Sequence, residues 1–76
     1  MVYNKDMERT ILGKRIRELR REMDITQKQL AELVKKSTTA VASWEQGLSE
    51  PCVDDIRSLC KIFNVSADYL LGITDC

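Results

Sequence analysis

Of the side chains that ordinarily carry chemistry, this 76-residue chain offers three cysteines, Cys52, Cys60 and Cys76, and one adjacent carboxylate pair, Asp54-Asp55; it contains no histidine. An odd cysteine count without histidine argues against both a disulfide framework and a zinc site. On one helix Cys52 and Cys60 would stand about 12 Å apart, too far for a bridge. All three therefore read as reduced thiols packed as small buried hydrophobes. Asp54 and Asp55 would point about 100° apart on a helix, and carboxylates in a first turn are explained by the helix dipole. There is no glycine-rich phosphate loop. No catalytic residue, metal or cofactor is expected, and the chain does not read as an enzyme.

A different chemistry is concentrated between Ser37 and Gln46. At about 100° per residue, Ser37, Val41 and Trp44 group on one side of a helix and Thr39, Ala42, Ser43 and Gln46 on the other. The second side is small, polar and uncharged in a chain that is 32% charged. Hydroxyl, methyl and amide groups on such a face suit close approach to base edges in a groove, although a protein-binding face could share the composition. Trp44 falls on the Val41 side and is expected to anchor the core rather than to stack on bases.

Net charge is zero, but it is unevenly distributed. Residues 14–36 hold eight basic groups (Lys14, Arg15, Arg17, Arg20, Arg21, Lys28, Lys35, Lys36) against four acids, and residues 37–76 hold six acids against Arg57 and Lys61. Such a dipole can orient a molecule toward a polyanion, although two ordinary solvated surfaces would look the same. Apolar runs are short, Tyr69-Leu70-Leu71 being typical, against the roughly 20 residues needed to cross a bilayer. The opening MVYNKDMERT has no apolar signal core. Neither membrane insertion nor secretion is expected, and the location expected is cytoplasmic.

The elements that must position the polar face are short helices. Leu12, Ile16, Leu19 and Met23 recur at spacings of four, three and four, and predict a first helix ending near Asp24. Thr26 with Gln29 forms a capping-box pattern for a second helix through Val34. Ser37 is expected to cap a third helix to Gln46, stopped by Gly47. Pro51 opens a fourth helix to Phe63, with Val53, Ile56, Leu59, Cys60 and Phe63 facing inward. Asn64 and Ser66 then end that helix and cap a last one reaching Leu71-Gly72. The fold class expected is all-α, with five helices and a core containing Ile16, Leu19, Leu30, Val34, Val41, Trp44, Ile56, Leu59, Phe63 and Leu70. One domain should cover residues 10–72, with a four-residue tail at 73–76. Residues 1–9 form an extension, either frayed or beginning the first helix from Asp6 with Met7 and Ile11 stacked. A domain this small buries about 60% of its unfolded surface.

The run Leu12-Gly13-Lys14-Arg15-Ile16-Arg17-Glu18-Leu19-Arg20, then Thr26-Gln27 with Leu30-Ala31, then Ser37, Val41 and Trp44-Glu45-Gln46-Gly47, resembles the lambda-repressor-like (Cro/XRE) helix-turn-helix domain. The likeness continues through Pro51 to Val65-Ser66-Ala67-Asp68-Tyr69-Leu70-Leu71-Gly72. It implies a small transcriptional regulator whose third helix, 37–46, reads the major groove of double-stranded DNA while the second crosses the backbone. By position, Thr38, Thr39, Ala42 and Ser43 match base-reading residues. Gln27, Lys28, Lys35, Lys36 and Gln46 fall where DNA phosphates pass. Arg20 and Glu45 match an internal ion pair. The resemblance also implies a homodimer on a palindromic site, because one short module makes a small interface. Ile62 and Tyr69 are candidates for the dimer contact.

The sequence departs from the family's pattern at the turn, where Lys35 stands in place of glycine and Lys36 in place of an apolar residue. Either Lys35 adopts a strained left-handed conformation, the favoured expectation, or the second helix runs on through it. Thr38, Thr39 and Ser43 are short and offer no bidentate partner for guanine or adenine, so modest direct discrimination aided by DNA shape is expected. Two other functions remain open: the DNA-binding antitoxin of a toxin–antitoxin pair, and a protein-interaction module that has lost DNA binding.

Overall fold

A computed structural model describes the backbone of residues 5–73 and the side chains of residues 11–73. Five helices follow in order: α1 (Lys5–Glu22), α2 (Gln27–Val34), α3 (Thr38–Gln46), α4 (Val53–Phe63) and α5 (Ala67–Leu71). No strand occurs among the described residues. Helix α1 takes in residues 5–9 of the expected extension. The Met7 side chain, Cys76 and the expected tail beyond residue 73 lie outside the described residues.

Local chemistry sets both ends of α2. Its start is a complete capping box: the Gln29 N–H donates to Thr26 Oγ1 at 3.0 Å, and the Thr26 N–H donates to Gln29 Oε1 at 2.8 Å. The start of α3 is held by Ser37 Oγ, which accepts from the Ala40 N–H at 3.0 Å. Between them Lys35 stands at φ 60°, ψ 44°. Its N–H reaches the Glu32 carbonyl at 3.3 Å and the Lys36 N–H reaches the Ala31 carbonyl at 2.9 Å, a Schellman closure built on lysine. The left-handed turn is thus the geometry adopted, and α2 stops at Val34. Asp24 (φ 58°) and Asn64 (φ 56°) close α1 and α4 by the same left-handed means, and Gly47 and Gly72 close α3 and α5.

The apolar stripes converge on one core of Leu12, Ile16, Leu19, Leu30, Ala31, Val34, Val41, Trp44, Leu59, Phe63 and Leu70. Ile56 packs against this core from its edge and is half-buried rather than interior. Other expectations are corrected. Met23 is 44% exposed, because α1 ends at Glu22 and the left-handed Asp24 turns the chain away before Met23 can complete the stripe. Val53 is 68% exposed, because it is the first residue of α4 and projects beyond the packed turns that Ile56, Leu59 and Phe63 cover. Cys52 is exposed rather than buried, because it is the N-cap of α4. Pro51, itself buried, therefore precedes the cap instead of opening the helix. Cys60 is half-buried, and burial pushes its thiol pKa up.

Asp55 closes the start of α4, accepting from the Cys52 N–H at 3.3 Å and its thiol at 3.2 Å. Together with a 3.5 Å ion pair from Lys36 Nζ, these contacts assign Asp55 to structure.

Candidate nucleic-acid interface

Helix α3 is fixed from behind by α1. Gly13 is buried in α1, and a Cβ there would lie 2.3 Å from the Trp44 carbonyl oxygen and 2.8 Å from that of Glu45. Only a residue without a Cβ permits this approach of helix to backbone. Val41 and Trp44, 0% and 4% exposed, secure the inner side of α3. The other side presents Thr38, Thr39 and Gln46 exposed and Ala42 and Ser43 half-buried, so the small polar face is left open. Ser37, grouped with the core side by periodicity, is exposed and serves as the N-cap.

Beneath that face the carboxylate of Glu45 is fully buried at its side chain. Arg20 grips it with two bonds, Nε to Oε2 at 2.7 Å and Nη2 to Oε1 at 3.1 Å, a fork that fits a carboxylate. A third Arg20 donor, Nη1, reaches the Ile25 carbonyl at 2.9 Å and ties the α1–α2 turn to the same group. Gln27 Nε2 donates to Glu45 Oε1 at 3.2 Å, and Arg17 Nε donates to that oxygen at 3.3 Å. Burial alone would raise the Glu45 pKa, but hydrogen bonds from Arg20, Gln27 and Arg17 and the charge of Arg20 outweigh it, so the carboxyl sits below its ordinary value. The hydrogen bond to Glu45 likewise raises the Arg20 pKa, against the opposing effect of burial.

The residues expected at phosphates divide into two groups. Lys28, Lys35 and Gln46 are exposed. Lys36 is exposed but engaged with Asp55, and half-buried Gln27 has one amide hydrogen committed to Glu45. Sequence reasoning paired Arg20 with Glu45 but omitted Arg17 and Gln27 from the same cluster. The available signal for Arg17 was its place three residues before Arg20, on a neighbouring part of the α1 surface. Tyr69 is half-buried under Arg15, whose guanidinium carbon lies 4.3 Å above the ring and which also donates to the Tyr69 carbonyl. Ile62 is half-buried as well.

Among the described residues no group of three or more cysteine, aspartate or glutamate side chains is placed to hold a metal, and no helix is long and apolar enough to cross a membrane.

Comparison with known proteins places this geometry. A family profile described as helix-turn-helix matches residues 16–70. The HTH-type transcriptional regulator ImmR of Bacillus subtilis is 38% identical over 61 residues, which are 80% of this chain and 48% of the relative. The HTH-type transcriptional activator BcrR of Enterococcus faecalis is 36% identical over 60 residues, covering 79% of this chain and 29% of the relative. The chain thus spans about half or less of these two relatives. Among solved structures, the c2 repressor of Salmonella phage P22, crystallised in complex with a synthetic operator, superposes with a TM-score of 0.77 at 36% identity. That match covers 80% of this chain and 92% of the other.

Proposed function

The chain belongs to the helix-turn-helix family of Cro/C1-type regulators, and from that premise we propose that it binds double-stranded DNA sequence-specifically as a small cytoplasmic transcriptional regulator. The observation that carries the reading is the open uncharged face of α3, held by Gly13 and by the Arg20–Glu45 fork on a basic first half of the chain. In this reading Thr38, Thr39, Ala42 and Ser43 meet base edges in the major groove. Gln27, Lys28, Lys35, Lys36 and Gln46 meet phosphates, which position the protein without reading sequence. Gln27 suits this role because Glu45 holds one of its amide hydrogens and leaves the other available. The protein acts as a homodimer on a palindromic site, which enlarges an interface that one short module leaves small.

Selection of bound duplexes from a random library tests the proposal, and half-site spacing among the winners reports the dimer. On a selected site, Gln27→Ala should weaken all duplexes alike, whereas Thr39→Ala and Ser43→Ala should alter preference among sequences. The reverse pattern would overturn the assignment of roles. Failure to bind any duplex at low salt would leave a protein-interaction module instead.

A further inference from the structure

We propose that Asp55, at the start of α4, holds Lys36 back from the DNA as an internal counter-ion that a backbone phosphate must displace. The inference rests on the DNA-binding reading above, which puts Lys36 at a phosphate, and adds a residue that acts only through that lysine. The three lysines proposed at phosphates are not equivalent. Lys28 and Lys35 are exposed and have no ion-pair partner among the described residues. Lys36 instead stands with its Nζ 3.5 Å from Asp55 Oδ1. It lies in the turn between α2 and α3, two residues before Thr38, so a restraint on it acts at the edge of the face set against the bases.

The pair joins a fixed anion to a movable cation. Asp55 is the third residue of α4, and its Oδ2 accepts from the Cys52 N–H at 3.3 Å and from the Cys52 thiol at 3.2 Å. These bonds lock the carboxylate, whose side chain is only 10% exposed, so it cannot follow its partner outward. The Lys36 backbone is tied by its N–H to the Ala31 carbonyl, but the ammonium ends a flexible four-carbon stem and the side chain is 43% exposed. At 3.5 Å the contact is an ion pair without a short hydrogen bond, which leaves the ammonium able to exchange one anion for another. Exchange has a cost, because moving to a phosphate strips a mostly buried carboxylate of its cation. With one exposed member the pair ranks near surface ion pairs, whose strength corresponds to about two- to fivefold in an equilibrium constant.

The test measures duplex affinity and its salt dependence on a selected site for the wild type, Asp55→Asn, Lys36→Gln, Lys28→Gln and the double variant Lys36→Gln/Asp55→Asn. Asparagine keeps a side-chain oxygen for the Cys52 N–H and removes the charge. Asp55→Asn is expected to bind every duplex about two- to fivefold more tightly, with the order of preference unchanged, and to steepen the slope of log K against log salt. In the Lys36→Gln background the same change should have no effect, a coupling that a purely structural role for Asp55 would not produce. Weaker or unaltered binding by folded Asp55→Asn would overturn the proposal, as would equal tightening with and without Lys36. If Asp55→Asn fails to fold, the two lysines decide. Lys28→Gln should lower the slope by about 0.9, the contribution of one phosphate, and Lys36→Gln by a smaller but measurable amount. Equal losses, or none for Lys36→Gln, overturn the restraint and leave the DNA-binding reading in place. Absence of wild-type binding at low salt would instead overturn that reading and the restraint with it.

Discussion

Replacing Arg20 by alanine should cost this domain much of its stability. The substitution strips two short hydrogen bonds, 2.7 and 3.1 Å, from a carboxylate whose side chain is fully buried. It also frees the Ile25 carbonyl, which Arg20 holds at 2.9 Å. Breaking a buried pair by removing one partner typically costs about 3–5 kcal/mol, because a charge is left without compensation. Here Gln27 and Arg17 keep their bonds to Oε1, so the expected cost lies at the low end, about 3 kcal/mol. For a domain of this size that lowers the melting temperature by roughly 12–24 °C. Small domains hold only about 5–15 kcal/mol in total, so the variant should fold but marginally. The exposed pair Arg57–Asp54, 3.9 Å apart with side chains 74% and 90% accessible, supplies the control, and Arg57→Ala should leave the midpoint nearly unmoved. Thermal denaturation followed by circular dichroism reads both, and a double-mutant cycle of Arg20→Ala with Glu45→Ala isolates the pair. A loss from Arg20→Ala below about 1 kcal/mol, the level of a surface pair, would refute the claim that the buried fork holds α3 to α1.

Lys35→Gly should raise the melting temperature, because the left-handed backbone at φ 60° strains a residue bearing a Cβ; the net gain should be roughly 0.5–1 kcal/mol after glycine's larger unfolded-state entropy, and a lower midpoint would contradict it. The same variant should bind DNA more weakly at fixed salt, since it removes a cation beside the proposed phosphate path. Gly13→Ala places a methyl group 2.3 Å from the Trp44 carbonyl and should destabilise by about 2 kcal/mol as α1 and α3 are forced apart, measurable by urea denaturation. Acid should act through Glu45: its carboxyl pKa is lowered by folding, so its contribution is present above the unfolded value of about 4.3 and is lost as pH falls through the folded one. Urea midpoints compared between wild type and Glu45→Gln should therefore converge in that acidic window, and a gap that stays constant down to low pH would count against the mechanism.

Much of the architecture was legible because its signals are local. Thr26 with Gln29, Ser37 and Ser66 each satisfy backbone donors within three residues, so the starts of α2, α3 and α5 could be read from residue type and spacing alone. The polar outer face of α3 was visible for the same reason, since helical periodicity separates Thr39, Ala42, Ser43 and Gln46 from Val41 and Trp44. Periodicity does not say where a stripe runs out of partners. Val53 and Met23 match their stripes in spacing but stand at helix ends and remain in solvent. Nor does it record strain: the left-handed turn at Lys35 was legible from its place in the family's pattern and not from the apolar stripe, and the left-handed Asp24 at the end of α1 left no mark in that stripe. The cluster around Glu45 belongs to the same category. Arg17, Arg20 and Gln27 are separated from Glu45 by 28, 25 and 18 residues and meet where α1 and α2 both pack on α3, Gly13 letting α1 close against the α3 backbone. Composition and spacing determined the helices and the face that α3 presents. Tertiary packing decided which charges that face stands on, because a carboxylate can be held in the interior only where donors from distant segments arrive together to replace its water.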